Sequence, residues 1–206
     1  RMMQAQLNPH FLYNTLDSLK WMGVAHNAPQ VSALAADLAS LLRASISGNE
    51  FVTLEEELEL VERYIDIQSI RFADRFVCEI AVDEQYQGCM VPKLVLQPLV
   101  ENAILHGVSD REDGYIKLWA EERDGDLLLS VSDNGRGISR EVLARLARHQ
   151  DIPGGHLGLN NVDRIIRLYY GAGYGLSAAN SEGGGSCVTL RLPMTKGEGH
   201  AEGIDR

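Results

Sequence analysis

Four stretches of this chain hold reactive or ligand-binding side chains at usable spacings. His10 stands in Asn8-Pro9-His10-Phe11, and an imidazole with an ordinary pKa is largely neutral at pH 7, with a nitrogen lone pair free to attack phosphorus. A lone solvated histidine would look the same. Asp133 opens Asp133-Asn134-Gly135-Arg136-Gly137-Ile138 at the end of an apolar run. Its carboxylate can accept from the exocyclic amine of an adenine, and the two glycines let backbone approach a flat ligand that a Cβ would push away. A plain Asx turn fits that stretch equally well. A dinucleotide fingerprint fits worse, because the third glycine is missing and the acidic residue precedes the pair.

Glu101 and Asn102 lie just ahead of His106 and Gly107. Asn102 and His106, four apart, share one face of a helix. The oxygens of Asn102 and Glu101 suit Mg²⁺, a hard cation that takes oxygen ligands beside phosphate; a polar surface stripe has the same spacing. Finally, Gly154-Gly155-His156-Leu157-Gly158-Leu159-Asn160-Asn161 runs from a glycine loop into a helix. The first amides of such a helix bind phosphate oxygens, although many loops end this way without a ligand.

The elements that must position these groups fall into two kinds. Up to residue 72 the pattern is helical and contains no convincing strand. Leu12, Leu16, Leu19 and Gly23, then Leu34, Leu38, Leu41 and Leu42, form stripes on two helices joined at Asn27-Ala28-Pro29, a helical hairpin. His10, Asn14, Asp17 and Trp21 lie together off that stripe, so His10 is expected to be exposed. Asn8 and Pro9 suit a helix start or a kink, and residues 2–7 already read as helix, as if the chain were cut from something longer. Thr53 with Glu56 forms a capping box for a third helix, with Leu58, Val61, Ile65 and Ile70 facing inward.

From Arg75 onward short alternating runs mix with helices, the pattern of a layered α+β domain. Strands are expected over 76–82, 115–121, 127–133, 175–179 and 187–192, and helices over 93–106, 139–148 and 159–170. The last two strands form a hairpin across Gly183-Gly184-Gly185. The stretch 148–158 is a candidate mobile lid, and the residues after Met194 read as a disordered tail.

With 45% hydrophobic and 23% charged residues among 206, the chain has material for one good core and a smaller appended element. A net charge of -10 with scattered Lys and Arg argues against a nucleic-acid surface. Cys78, Cys89 and Cys187 lack metal-site or disulfide spacing, which fits a reducing cytoplasm. No apolar run is long enough to span a bilayer. His26, His149 and His200 fall in expected loops or the tail and are expected to be solvated.

In this order, the three C-terminal stretches resemble the N, G1 and G2 boxes of the ATPase superfamily shared by histidine kinases, gyrase B and MutL. The resemblance implies a Bergerat-type two-layer α/β sandwich with a mixed sheet. It makes Asp133 the adenine reader, Asn102 the Mg²⁺ ligand, Gly135, Gly137 and Gly158 the flexible-loop glycines, and Gly185-Ser186 the closing box. Leu159 and Asn161, at the start of the last helix, join the nucleotide contacts. Residues 6–16, Gln6-Leu7-Asn8-Pro9-His10-Phe11-Leu12-Tyr13-Asn14-Thr15-Leu16, resemble the phosphoacceptor motif of LytS/YesM-type sensor histidine kinases. Residues 64–72, from Tyr64 through Gln68 and Arg71 to Phe72, resemble their Y-x-x-I-Q-x-x-R-F segment.

That resemblance covers 6–193 and implies a histidine phosphoacceptor and dimerisation region over 1–72, a catalytic domain over 73–194 and a tail over 195–206. The hairpin would pair with its twin in a four-helix bundle, which also answers how two helices could bury their stripes. It further implies MgATP-dependent autophosphorylation of His10, transfer to an aspartate of a response regulator, and a bacterial membrane sensor of which this is the cytoplasmic part. An ATP-hydrolysing switch and a nucleotide-binding pseudokinase scaffold are the alternatives. Three departures stand out. Leu105 sits where many histidine kinases place a phosphate-contacting Lys, His156 where the G2 box often begins with Gly, and no acidic residue follows His10. The phosphate clamp is therefore open among His106, Arg136 and the lid backbone, and Glu101 stands for metal support or the base.

Overall fold

The computed structural model describes residues 9–152 and 157–196, apart from the side chains of Pro9, His10 and Leu157. Helices α1 (Pro9–Ala25) and α2 (Pro29–Ile46) form the expected hairpin. Its turn is tight, since a Cβ at Gly23 would come within 2.7 Å of the Ser32 nitrogen. The face bearing Asn14, Asp17 and Trp21 is exposed, as expected. The apolar stripe is only half covered: Leu12 and Leu16 are partly buried, while Leu19 and Leu38 stay exposed. Whether residues 2–8 are helical or capped, as the sequence suggests, lies outside the described residues.

Strand β1 (Phe51–Thr53) corrects the expectation that no strand precedes residue 72. It pairs antiparallel with β3 (Met90–Pro92), Val52 opposite Val91. Three residues with one buried side chain are too few for an alternation to be seen in sequence. Helix α3 (Leu54–Arg71) begins with the expected capping box: Glu56 N–H donates to Thr53 Oγ1 at 3.2 Å and Thr53 N–H donates to Glu56 Oε2 at 2.9 Å. Such a cap contributes about 1 kcal/mol. Leu58 and Val61 face inward and Ile65 packs at the margin, but Ile70 is exposed. Tyr64 and Gln68, one turn apart, take the inner face instead.

The main sheet joins β2 (Phe76–Ala81), β4 (Gly114–Arg123), β5 (Asp126–Asp133), β6 (Gly175–Asn180) and β7 (Ser186–Pro193) in the order β2-β4-β5-β7-β6. Only β2 and β4 run parallel, so the sheet is mixed. The crossover between them carries the short helix α4 (Glu84–Gln87), β3, α5 (Gln97–Asn102) and a π-helical turn over Ala103–Val108. On the inner face Ile116, Leu118, Leu127, Leu129, Leu190 and Leu192 are fully buried. They pack with α5, α6 (Arg140–Ala147), α7 (Leu157–Tyr170) and α3. Truncating one of these leucines to Ala costs roughly 2–5 kcal/mol. The opposite face is more open, with a Glu79–Lys117 ion pair at 2.9 Å beside exposed Val77.

Three further expectations change. The helix expected over 93–106 does not begin at Lys93. Residues 93–96 form a turn with Leu94 at φ 62°, and the helix starts at Gln97-Pro98, where proline suits a first turn. The boundary at 72/73 cuts through one core, because Leu54, Leu58, Val61 and Tyr64 of α3 share it with the sheet. The tail expected from 195 starts too early: the Met90 N–H donates to the Thr195 carbonyl at 2.7 Å and Cys89 bridges Lys196. Residues 197–206, and with them His200, lie outside the described residues.

Candidate active site

Strand β5 ends at Asp133, which is buried with both carboxylate oxygens engaged. Oδ1 accepts the Gly135 N–H at 2.8 Å, and Oδ2 accepts the Ser186 hydroxyl at 2.6 Å. The Asx turn does not exhaust the carboxylate, since each oxygen keeps a further lone pair. The turn is pressed against its neighbours. A Cβ on Gly107 would meet the Asp133 carboxyl carbon at 2.7 Å, one on Gly135 would overlap the Gly107 carbonyl, and one on Gly185 would overlap the Asp133 carbonyl. Gly137, at φ +77°, takes a conformation that side chains resist.

Beside this strand end is a cavity of about 390 Å³, lined by Asn102, His106, Gly107, Arg136, Gly137, Ile138, Ser139, Val142 and Ser186. That volume falls in the range of small-ligand pockets. A narrower space continues from it, bordered by Pro98, Glu101, Asn102, Leu105, His106, Gly158 and Leu159. Asn102 and His106 border both. The expected shared face of these two residues therefore holds, even though the helix widens into a π turn between them, a distortion frequent at functional sites. Gly158 packs on Pro98, its hypothetical Cβ 3.0 Å from the ring.

The expected residues divide by position. Asn102, His106, Arg136, Gly137 and Ser186 line the larger cavity; Glu101, Gly158 and Leu159 line the narrower one; Asp133, Gly135 and Gly185 form the packed wall behind Ser186. Asn161 lies on an exposed face of α7 and lines neither. Its neighbour Asn160 does structural work, donating to the Ile152 carbonyl and accepting its N–H, both at 3.0 Å. His10 is the second residue of α1, with its side chain outside the described residues. His156 and most of the glycine loop, 153–156, lie outside them too.

Of the three candidates for a phosphate clamp, Arg136 already has work in the fold. Arg136 Nε donates to the His106 carbonyl at 2.7 Å, and its guanidinium faces Asp110 at 3.8 Å, so it holds the end of the π turn. Burial and the Arg136 charge hold the His106 imidazole below its ordinary value, against a smaller opposing pull from Glu101. The ring therefore favours its neutral form more than an ordinary histidine does. Burial of Tyr64 next to Glu101 pushes its phenol well above the usual range.

Several residues that shape the site carry no motif. Asn180 accepts the Ile138 N–H at 2.7 Å and donates to its carbonyl at 2.8 Å, fixing the loop after Gly137. Asn134 accepts the Tyr115 N–H at 2.8 Å and donates to the Asp113 carbonyl at 2.9 Å. Ser139 caps α6 by accepting the Val142 N–H at 3.3 Å. An Asn at the end of an edge strand gives no local sign that it clamps a loop 42 residues away. His149, expected to be solvated, is exposed, but its Nδ1 also lies 3.1 Å from an oxygen of Asp163, whose other oxygen accepts the Leu176 N–H at 2.8 Å.

Comparison with known proteins adds two family matches: a histidine kinase model over residues 1–76, and the histidine kinase-, DNA gyrase B- and HSP90-like ATPase model over residues 91–196. The sensor histidine kinase YesM of Bacillus subtilis is 35% identical over 193 residues, 93% of this chain and 32% of that protein. The sensor histidine kinase BtsS of Escherichia coli is 34% identical over 195 residues, 94% of this chain and 33% of its own length. The chain thus spans about a third of these relatives. Among solved structures, the nucleotide-free catalytic domain of the histidine kinase ThkA matches with TM-score 0.55 at 22% identity, over 70% of this chain and 94% of that one. Full-length ShkA in complex with AMPPNP matches with TM-score 0.54 at 18% identity, over 91% of this chain and 45% of that one. At such identities these two bear on the fold alone.

Proposed function

The chain belongs to the histidine kinase family, and on that premise we propose that it binds MgATP between β5, the π turn and α7 and transfers the γ-phosphoryl group to His10. The observation that carries the reading is the double position of Asn102 and His106, which border both the cavity beside Ser186 and the space leading to Gly158. A nucleotide with its base toward Asp133 would send its phosphates past these two residues toward the start of α7.

In this reading Asp133 accepts from the exocyclic amine of adenine, and the Ser186 hydroxyl and Gly135 N–H hold the carboxylate in place. Gly137 leaves room for the base, and the α7 N-terminus meets the phosphates. The donors fit Mg²⁺, because the Asn102 amide oxygen and the Glu101 carboxylate are hard ligands bordering one space. When bound, the metal supplies neutralisation of charge on the phosphate oxygens, where phosphoryl transfer most needs it. The His10 nitrogen forms the bond to γ-phosphorus as the bond to the β–γ bridging oxygen breaks and ADP leaves. The imidazole then gives up its ring proton to water, since in this reading Glu101 supports the metal rather than acting as the base.

By the same family reading, the phosphoryl group passes to an aspartate of a response regulator. The half-covered stripe of α1 and α2 pairs with a second copy, and the parent protein is a bacterial membrane sensor with this part in the cytoplasm. Among the described residues no helix is long and apolar enough to cross a membrane.

Incubation with γ-labelled ATP tests the core of the proposal. The wild type should acquire acid-labile label and His10→Ala none. Release of phosphate without labelling would favour an ATP-hydrolysing switch, and nucleotide binding with neither would favour a scaffold.

A further inference from the structure

Helix α5, which carries Glu101 and Asn102, has no capping side chain of its own; its N-cap position is Leu96. The carboxylate that meets this helix start comes from α3. Glu57 is 1% exposed, its Oε1 accepting the Leu96 N–H and its Oε2 the Leu94 N–H, each at 2.9 Å. Burial pushes its carboxyl above the usual value, while the amides of Leu96, Leu94 and Val95 pull the other way. The turn it holds is strained, with Leu94 at φ 62°, a conformation a branched side chain keeps only when its surroundings impose it. From the other side Lys93 ties the turn to the end of the hairpin. Its Nζ donates to the Ser47 carbonyl and approaches the Ser47 hydroxyl, both at 2.6 Å, and its N–H donates to the Glu50 carbonyl at 2.9 Å.

We propose that Glu57 is a positioning residue for phosphoryl transfer: its buried carboxylate fixes the turn 93–96 and so sets where α5 presents Glu101 and Asn102. The nucleotide's base end depends on it less, since Asp133 and Ser186 belong to β5 and β7 and meet the α5 segment only through the π turn at Gly107. Glu57 thus acts chiefly on the metal end of the site. The inference rests on the reading of Glu101 and Asn102 as metal-holding.

The test uses Glu57→Gln, which keeps the shape but turns an NH₂ toward backbone N–H groups that need an acceptor. Three quantities are read on the folded protein: labelling rate at saturating ATP, the Mg²⁺ concentration for half-maximal rate, and affinity for ADP without metal. The rate should fall on the order of tenfold to a hundredfold, as displacement of positioning groups by about an ångström does. The Mg²⁺ requirement should rise by a larger factor than metal-free ADP affinity falls, with Glu57→Asp recovering part of the rate. A folded E57Q with wild-type rate and Mg²⁺ dependence would overturn the inference alone, as would a loss shared equally by metal-free ADP binding. An unlabelled wild type would overturn the functional reading and this inference together. If E57Q does not fold, Glu57→Asp decides: a raised Mg²⁺ requirement supports the proposal and wild-type behaviour refutes it.

Discussion

Ser186 donates its hydroxyl to Oδ2 of Asp133 at 2.6 Å, and the two are register partners in the pairing of β5 with β7. The contact links the carboxylate at one strand end to the residue opening the last strand, 53 positions later. Because Ser186 also lines the large cavity, the bond orients the group assigned to the base.

Removing either partner should separate folding from recognition. Ser186→Ala leaves a buried carboxylate short of a donor, which costs about 1–3 kcal/mol, readable as a lower urea midpoint with modestly weaker ATP binding. Asp133→Asn keeps an acceptor for the Gly135 N–H and the side-chain shape, so the fold should survive while ATP affinity drops by more than about tenfold, the loss of one charge-assisted bond. Titration calorimetry showing undiminished affinity in D133N would remove Asp133 from the adenine assignment.

Gly135→Ala should damage the site from behind. Its Cβ would overlap the Gly107 carbonyl, which is main chain and cannot swing aside. We expect a stability loss of about 1–3 kcal/mol from overpacking, together with weakened nucleotide binding. Gly48→Ala is the control, since nothing lies within 4 Å of its Cβ position. Equal urea midpoints for the two variants would contradict the close approach of the β5 turn to the π turn.

His106 gives a pH signature. Burial and Arg136 lower its value from 6.5, so as pH falls the unfolded chain takes up this proton before the folded one. The folded state therefore loses stability as pH drops through about 6.5, and the contribution is present in full above that value. Urea midpoints measured between about pH 5.5 and 7.5 should decline toward acid less steeply in His106→Gln than in the wild type. An NMR titration midpoint for His106 above 6.5 would reverse the sign and refute the assignment.

Much of this arrangement is legible from neighbours in the chain. Alternation marked strands such as β4 and β7, because one face of each is buried and the period is two, while the apolar run Leu127-Leu128-Leu129 marked β5, which is covered on both faces. The capping box at Thr53 and Glu56 is written in four consecutive residues. Asp133, Gly135 and Gly137 stood out because a turn against a ligand needs glycine at fixed offsets. The short pair β1 and β3 left no such mark, and Pro98 was a start signal hidden inside an apparently continuous helical stretch.

The sequence by itself determined the local chemistry: which side chains carry the groups suited to a base, a metal or a phosphoryl group, and where most helices and the strands of the main sheet lie. Only the tertiary structure decided that α3 shares the core of the sheet domain, that Glu57 holds a turn 39 residues away, and that Ser186 meets Asp133. The reason is physical. Capping and periodicity act between residues a few positions apart, whereas a buried carboxylate takes whichever amides the closed chain brings to it.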